Sequence, residues 1–306
     1  MTAPATELRP AVPPASDSRR AATRRPFDTS WLWSTPPVLI LAAIFLYPLV
    51  LVFKQAFEGA PGNDFSPSVS FGSTLTNPST RTVLWNTVQM AVYSTAGCLV
   101  LGFVLALIVA FVPFPGAKVV SRFIDVFLSF PSFLITVSIM FVYGRVGMVN
   151  GVISDVAGGH KPLDFLYTPW GIWLGELIYF TPFVMRPLLS AFSQLDAGQL
   201  EVAASLGARP MKIVRQVILP EALPALFAGG SLVLMLTMNE YGIVSFTATK
   251  FQTLPVLVAT FATEQGNYAG ACALAVINIA MSLVLFALYR VLLARMSGGR
   301  RAAVVA

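Results

Sequence analysis

Charge is what this sequence has least of. Asp, Glu, Lys and Arg make up 11% of its 306 residues, against about 25% in an ordinary soluble domain. That scarcity excludes a water-soluble enzyme, a nucleic-acid-binding module and a disordered scaffold. Histidine occurs once, as His160, which leaves little for imidazole-based catalysis. The two cysteines, Cys98 and Cys272, both lie inside apolar stretches, so neither a disulfide framework nor a zinc site is expected. The sequence has no G-x-x-x-x-G-K-[ST] pattern, and therefore no backbone cradle and lysine for nucleotide phosphates. Nor does it carry a Ser/His pair, a His-Glu-x-x-His run or paired acids at one depth. The expectation is no catalytic residue, no metal site and no cofactor.

What is abundant is apolar: 56% of residues are hydrophobic and the mean hydropathy is +0.74. Such a chain belongs in a bilayer. Residues 1–30, rich in Pro, Ala and Arg, read as a disordered basic tail, because a secretory signal would place its apolar run nearer Met1. A spanning helix needs about 20 mostly apolar residues. Six windows fit: 29–53, Leu84 to Val112, Arg122 to about Val142, the stretch between Asp164 and Arg186, Leu223 to Phe246, and 265–289. The chain then divides into the tail 1–30, a first span over 31–53, a five-helix core over 84–293 and a second tail over 294–306.

Lys and Arg are retained on the cytoplasmic side. Of the 20 in the chain, Lys54, Arg81, Arg145, Lys161 and Lys250 fall on one side of the six spans, and the other fifteen on the opposite side. Both termini are therefore expected in the cytoplasm of a multi-pass plasma-membrane protein. The formal charge of +6 follows this distribution and forms no patch for nucleic acid.

The most informative stretch is 196–220, between the fourth and fifth spans. Asp196 with Gln199 three residues on has the form of a helix cap with its reciprocal partner. Gly207 suits a left-handed helix end, and Pro210 a new first turn. On the second helix Ile213, Val214, Val217 and Ile218 form an apolar stripe, with Lys212, Arg215 and Gln216 facing elsewhere. The expectation is a helical hairpin at the membrane surface that shows one face to a soluble partner.

The spacing Glu201-Val202-Ala203-x-x-x-Gly207, nine residues, then Val217-x-Leu219-Pro220 resembles the coupling motif of the permease subunits of bacterial ABC importers. Val202 stands where that pattern has Ala, and Val217 where it has Ile. The resemblance covers the chain from the second span to its end. It implies an all-α fold of the type I ABC importer permease class, with six transmembrane helices. It also implies that Glu201, Ala203, Ala204, Gly207, Arg209, Leu219 and Pro220 couple the chain to a separate ATPase, which holds the ATP and Mg. The partners implied are a second permease subunit, identical or similar, two ATPase subunits, an extracytoplasmic solute-binding protein and the lipid bilayer.

Charged groups inside a span cost about 2.5–3.5 kcal/mol at its centre, so they face a cavity or another helix. Met238-Asn239-Glu240-Tyr241-Gly242 is similar to the Gly-Glu-Phe-Gly segment of sulfate and molybdate permeases. Asn239, Glu240, Tyr241 and Gly242 either line or gate the path, or fix packing through hydrogen bonds. An acid there would repel an anion unless its role is indirect or the solute carries an amine. Glu176 reads as structural, Asp125 as a solvated partner of Arg122, and Asn278 as a helix bridge. Pro131 and Pro182 are expected to interrupt their helices.

The run Asn239 to Val244 with Thr253-Leu254-Pro255-Val256 looks most like permeases for 2-aminoethylphosphonate and related oxyanions, near those for polyamines, thiamine and ferric iron. A secondary transporter driven by an ion gradient shares the composition. It would need more helices and an inverted repeat, and neither is visible.

Overall fold

The computed structural model describes residues 30–58, 67–156, 165–247 and 251–305. The basic tail up to residue 29, together with His160, Lys161 and Lys250, lies outside the described residues. Every described element is helical. The chain forms two compact units, Met1–Leu49 and Val50–Ala306. Helix α1 (Ser30–Glu58) starts in the first and ends in the second, and stays helical through Pro36, Pro37 and Pro48. The second unit continues with α2 (Pro67–Thr76), α3 (Pro78–Phe111), α4 (Ala117–Phe127), α5 (Ser132–Tyr143), α6 (Met148–Val156), α7 (Pro169–Phe192) and α8 (Ala197–Ser205). Next come α9 (Pro210–Ile213), α10 (Leu219–Met238), α11 (Gly242–Thr247), α12 (Leu254–Ala259) and α13 (Tyr268–Val305).

Among the described residues, five segments combine the length and apolarity of a span: Thr35–Phe57, Pro78–Phe111, Ser132–Val156, Pro210–Met238 and Tyr268–Arg295. The expected fourth span falls on α7, whose 24 residues cover roughly 36 Å at 1.5 Å per residue, ample for a hydrocarbon core of about 30 Å. Yet α7 is not apolar enough to join that group. The reason is its position. Gly175, Glu176, Thr181, Pro182 and Val184 are buried, and a helix enclosed by protein has no need of lipid-compatible side chains.

The core of the second unit is where α3, α7 and α10 meet around Cys98, Ala106, Phe180, Val184, Leu188 and Val233, with Ile124 of α4 and Ile218 added at one end. Small residues bring the backbones together. A methyl group on Gly102 of α3 would lie 2.9 Å from the Val184 side chain, and one on Gly229 of α10 would lie 3.0 Å from the Val184 Cα. Gly102→Leu should therefore push α3 off α7 and cost about 1–3 kcal/mol. Gly151→Ala inside α6, which meets nothing within 4 Å, should instead raise stability by about 0.5–1 kcal/mol. Reversible unfolding of the purified chain in mixed micelles checks both.

Three expected spans are corrected. The third is not a single helix from Arg122 to Val142, because α4 ends at Phe127 and α5 starts at Ser132. Pro131, at φ −65° and ψ 144°, is extended there and cannot supply the amide that would carry α4 onward. The fifth is not a single helix from Leu223 to Phe246. It begins at Pro210, where α9 runs into α10 through a π-helical turn over Val214–Ile218, and it stops at Met238. The fourth contains Pro182 but is not interrupted by it, since α7 is continuous from Pro169 to Phe192. Helix α13 likewise runs past residue 294 to Val305.

The π-turn explains why Pro220 does not end its helix. The Leu219 amide donates to the Val214 carbonyl, five residues back. This wider turn shifts the preceding carbonyls from where the proline ring would strike them.

Candidate functional site

The hairpin is built from its caps. Asp196 Oδ1 accepts from the Gly198 amide at 2.9 Å, and the Gln199 amide donates to the Asp196 carbonyl at 3.1 Å. At the other end of α8 Gly207 adopts φ +78°. Its amide donates to the Ala204 carbonyl at 2.9 Å, and the Ala208 amide donates to the Ala203 carbonyl at 3.1 Å. These two bonds are the Schellman pair, so the Ala-Ala-x-x-Gly part of the motif is the helix end itself. Arg209, extended at φ −67° and ψ 151°, then leads into Pro210 in the first turn of α9.

The second arm places Ile213, Val214, Val217 and Ile218 inward, with Ile213, Val214 and Ile218 packed on the main core. Lys212, Arg215 and Gln216 are exposed. Leu219 and Pro220 are half-buried and belong to the continuous helix rather than to a free hairpin arm. The outward face was not legible beforehand. Val202 is 61% exposed, Leu206 83% and Met211 75%, with Glu201, Arg209 and Lys212 also exposed. An apolar centre with a charged rim is the make-up of a protein-protein contact. The signal available in the sequence was three large apolar residues falling outside the inward stripe.

A second cluster occupies the break between α10 and α11, over Asn239 to Tyr241. A helix break in a membrane must satisfy its own backbone, and here side chains do so. The Asn239 amide group donates to the Met235 carbonyl, one turn back, at 2.8 Å. The Glu240 carboxylate accepts from the Ile243 amide at 2.8 Å, capping α11. Asn278 of α13 donates to the Asn239 side-chain oxygen at 3.0 Å, the expected helix bridge. Glu240 is buried, whereas Asn239 and Tyr241 are exposed. Gly242 permits a close approach: a methyl group there would lie 2.7 Å from Ser132 Oγ and 3.3 Å from the Phe133 amide nitrogen. The start of α5 therefore abuts the start of α11, and the two helix breaks lie side by side.

Two more charged groups are placed. Glu176 is fully enclosed, and Ser94 of α3 donates to it at 2.5 Å, a bond joining α3 to α7. Asp125 does not pair with Arg122. Its Oδ1 lies 2.6 Å from Nε of Arg186 on α7, because α4 runs alongside α7 while Arg122 points outward from α4.

A family model for the inner membrane component of binding-protein-dependent transport systems matches residues 99–298. The chain belongs to that family. A Salmonella typhimurium protein provisionally named 2-aminoethylphosphonate transport system permease protein PhnU is 46% identical to this permease over 266 residues, 86% of this chain and 92% of the relative. The spermidine/putrescine permease protein PotB of Haemophilus influenzae is 27% identical over 251 residues, 80% of this chain and 87% of PotB. Among solved structures, a bacterial alginate ABC transporter in complex with an alginate pentasaccharide-bound periplasmic protein gives a TM-score of 0.72. That match spans 88% of this chain and 95% of the other at 17% identity, and shows the shared all-α permease fold. The protein is thus the membrane-embedded permease subunit of an ABC importer, a multi-pass component of the plasma membrane.

Proposed function

We propose that this permease forms one half of the path for 2-aminoethylphosphonate or a closely related small oxyanion. The solute is handed over by an extracytoplasmic binding protein. Two copies of a separately encoded ATPase supply the energy, and each grips a 196–220 hairpin on the cytoplasmic side. ATP binding favours an outward-open path between two permease subunits and hydrolysis resets it, with no chemical change in the solute. The observation that carries the substrate is the 46% identity, over 86% of the chain, to the protein named for 2-aminoethylphosphonate transport. The hairpin supports the coupling. Val202, Leu206 and Met211 form an exposed apolar centre between Glu201 and the basic Arg209 and Lys212, a surface shaped for a protein cleft.

The helix break supports the path. Asn239 and Tyr241 face open space, and Gly242 lets α5 and α11 meet. Glu240 acts indirectly in this reading, because its carboxylate is buried and occupied with the Ile243 amide. It shapes the break while its neighbours line it.

The test is uptake into proteoliposomes. The complete set of permease, ATPase and binding protein should accumulate 2-aminoethylphosphonate only with ATP present and only with all three components. Uptake driven by an ion gradient through the permease alone would replace this reading with a secondary transporter. Accumulation of spermidine, thiamine or ferric iron but not the phosphonate would correct the substrate alone.

A further inference from the structure

Helix α6 and the turn before it carry an apolar surface that the described chain leaves uncovered. Val146 is fully exposed, and Met148, Val152 and Val156 are 73%, 63% and 84% exposed. The last three stand at i, i+4 and i+8 and therefore on one face of α6. Two exposed charges flank them: Arg145 precedes Val146, and Asp155 lies one turn beyond Val152.

Contacts along α7 fix where this surface lies. The Tyr179 hydroxyl donates to the Phe130 carbonyl at 3.2 Å, Ile139 lies near Gly175, and the Arg145 guanidinium lies 5.7 Å from the centre of the Tyr167 ring. Rising numbers on one side meet falling numbers on the other, so α5 runs antiparallel to α7. At the far end of α7, Arg186 pairs with Asp125. Pro169 and Arg186 are separated by roughly 26 Å at 1.5 Å per residue, close to the thickness of a hydrocarbon core, about 30 Å. Arg145 and Arg186 therefore mark opposite boundaries of the bilayer. With Arg186 on the cytoplasmic side, as the distribution of Lys and Arg has it, Arg145 stands at the outer boundary, beside the interfacial aromatics Tyr143, Tyr167 and Trp170. Helix α6 starts where α5 leaves the hydrocarbon.

The turn that presents this surface is braced from within. The Gly144 carbonyl accepts from the Gly147 amide at 2.8 Å and from the buried Asn150 side chain at 2.7 Å, while the Gly144 amide donates to the Met140 carbonyl at 2.8 Å. A methyl group on Gly147 would lie 2.8 Å from the Val142 carbonyl oxygen, so the chain closes this tightly only with glycine. Lipid does not match the exposed face. A helix that rests in the membrane surface carries Lys or Arg on its polar side and Trp, Phe or Leu on the other, and α6, Met148–Val156, has none of these and one acid. Nor does a second permease match it, because the path between two permeases runs within the bilayer and α6 starts at its edge.

We propose that Val146, Met148 and Val152 are the centre of a docking surface for the extracytoplasmic solute-binding protein, with Arg145 and Asp155 as its charged rim. The assignment rests on the importer reading and the orientation above, and on membership of a family that depends on a binding protein. An apolar centre within a charged rim is the make-up of a protein-protein contact. Its small extent fits a partner that docks and leaves in every cycle, and the preset turn spares the cost of ordering the surface on contact.

The deciding variant is Val152→Asp, which sets an unpaired carboxylate in the middle of the surface at an exposed position. In proteoliposomes holding the permease with its ATPase, the concentration of binding protein that gives half-maximal ATP-driven uptake should rise about tenfold or more. The rate at saturating binding protein and the ATPase activity without it should stay at wild type, since docking and not the path is altered. An unchanged half-maximal concentration overturns the docking surface, and so does a fall confined to the saturated rate. A second measurement does not depend on the aspartate variant assembling. Val152→Cys, carrying a benzophenone maleimide in the full complex, should capture the purified binding protein on illumination. Capture of a second permease chain, or of lipid alone, overturns the assignment. In intact spheroplasts an impermeant maleimide should reach the same cysteine, and labelling only after lysis overturns the orientation and the surface with it. Uptake by the wild-type complex that needs no binding protein would instead count against the importer reading.

Discussion

Gly207→Val should lower ATP-driven uptake about 5–30-fold while the chain still inserts into the membrane. The figure follows from the backbone. Gly207 sits at φ +78°, a conformation that costs a residue with a Cβ roughly 1–2 kcal/mol and a β-branched one more. A shift of that size changes the ratio of formed to unformed hairpin end by about 5–30-fold, which sets the largest fall in uptake it can cause. The effect is conformational rather than steric, because a methyl group on Gly207 would meet nothing within 4 Å. The control is therefore Gly207→Asn, bulkier than alanine yet tolerant of the left-handed region, which should retain most of the uptake. If Val and Asn prove equally damaging, the defect comes from size at a docking surface and the backbone account is wrong. Membrane content, ATPase co-purification and uptake are the three measurements.

The second large effect belongs to Glu240. Replacing it by leucine leaves the Ile243 amide without its 2.8 Å acceptor in a place with no bulk water to substitute. An orphaned buried donor costs about 1–3 kcal/mol, so Glu240→Leu should lower the reversible unfolding free energy in mixed micelles by that amount. Glu240→Gln keeps an oxygen in the same position and should be close to wild type in both stability and uptake. A glutamine variant that is stable but inactive would show that the negative charge has a part in transport. A leucine variant as stable as wild type would show that water or another group takes over the cap.

The two regions differ in how much of them could be read in advance. The hairpin was legible because its geometry is local. Asp196 and Gly207 act through hydrogen bonds within two to five residues and Pro210 through its fixed φ in the first turn, and such effects are properties of short sequence windows. The sequence also located the apolar runs, since runs bounded by charges need no tertiary knowledge, but not the breaks at Pro131 and Asn239 that divide two of them. What escaped was non-local. Asp125 was assigned to Arg122, three residues away, when its partner is Arg186 on another helix. The bridging role of Asn278 was accessible because an amide inside a span has few other solutions, but its partner Asn239 was not, nor was the Ser94 bond to Glu176, because serine carries no charge to mark it. Pro182 misled, since α7 runs through it. Proline announces a break only where no wider turn or neighbouring packing accommodates it, and both accommodations are invisible to local reasoning.

The π-turn at Val214–Ile218 makes the stretch from Pro210 to Met238 a single rod of 29 residues, roughly 43 Å long at 1.5 Å per residue. One end carries Pro210 beside the hairpin tip, and the other ends at Asn239. A swing of about 10° around its midpoint displaces both ends by roughly 4 Å in opposite directions, more than the diameter of a water molecule. In the coupling proposed above, this lever would carry a displacement near Leu206 to the break near Tyr241 with its sense reversed.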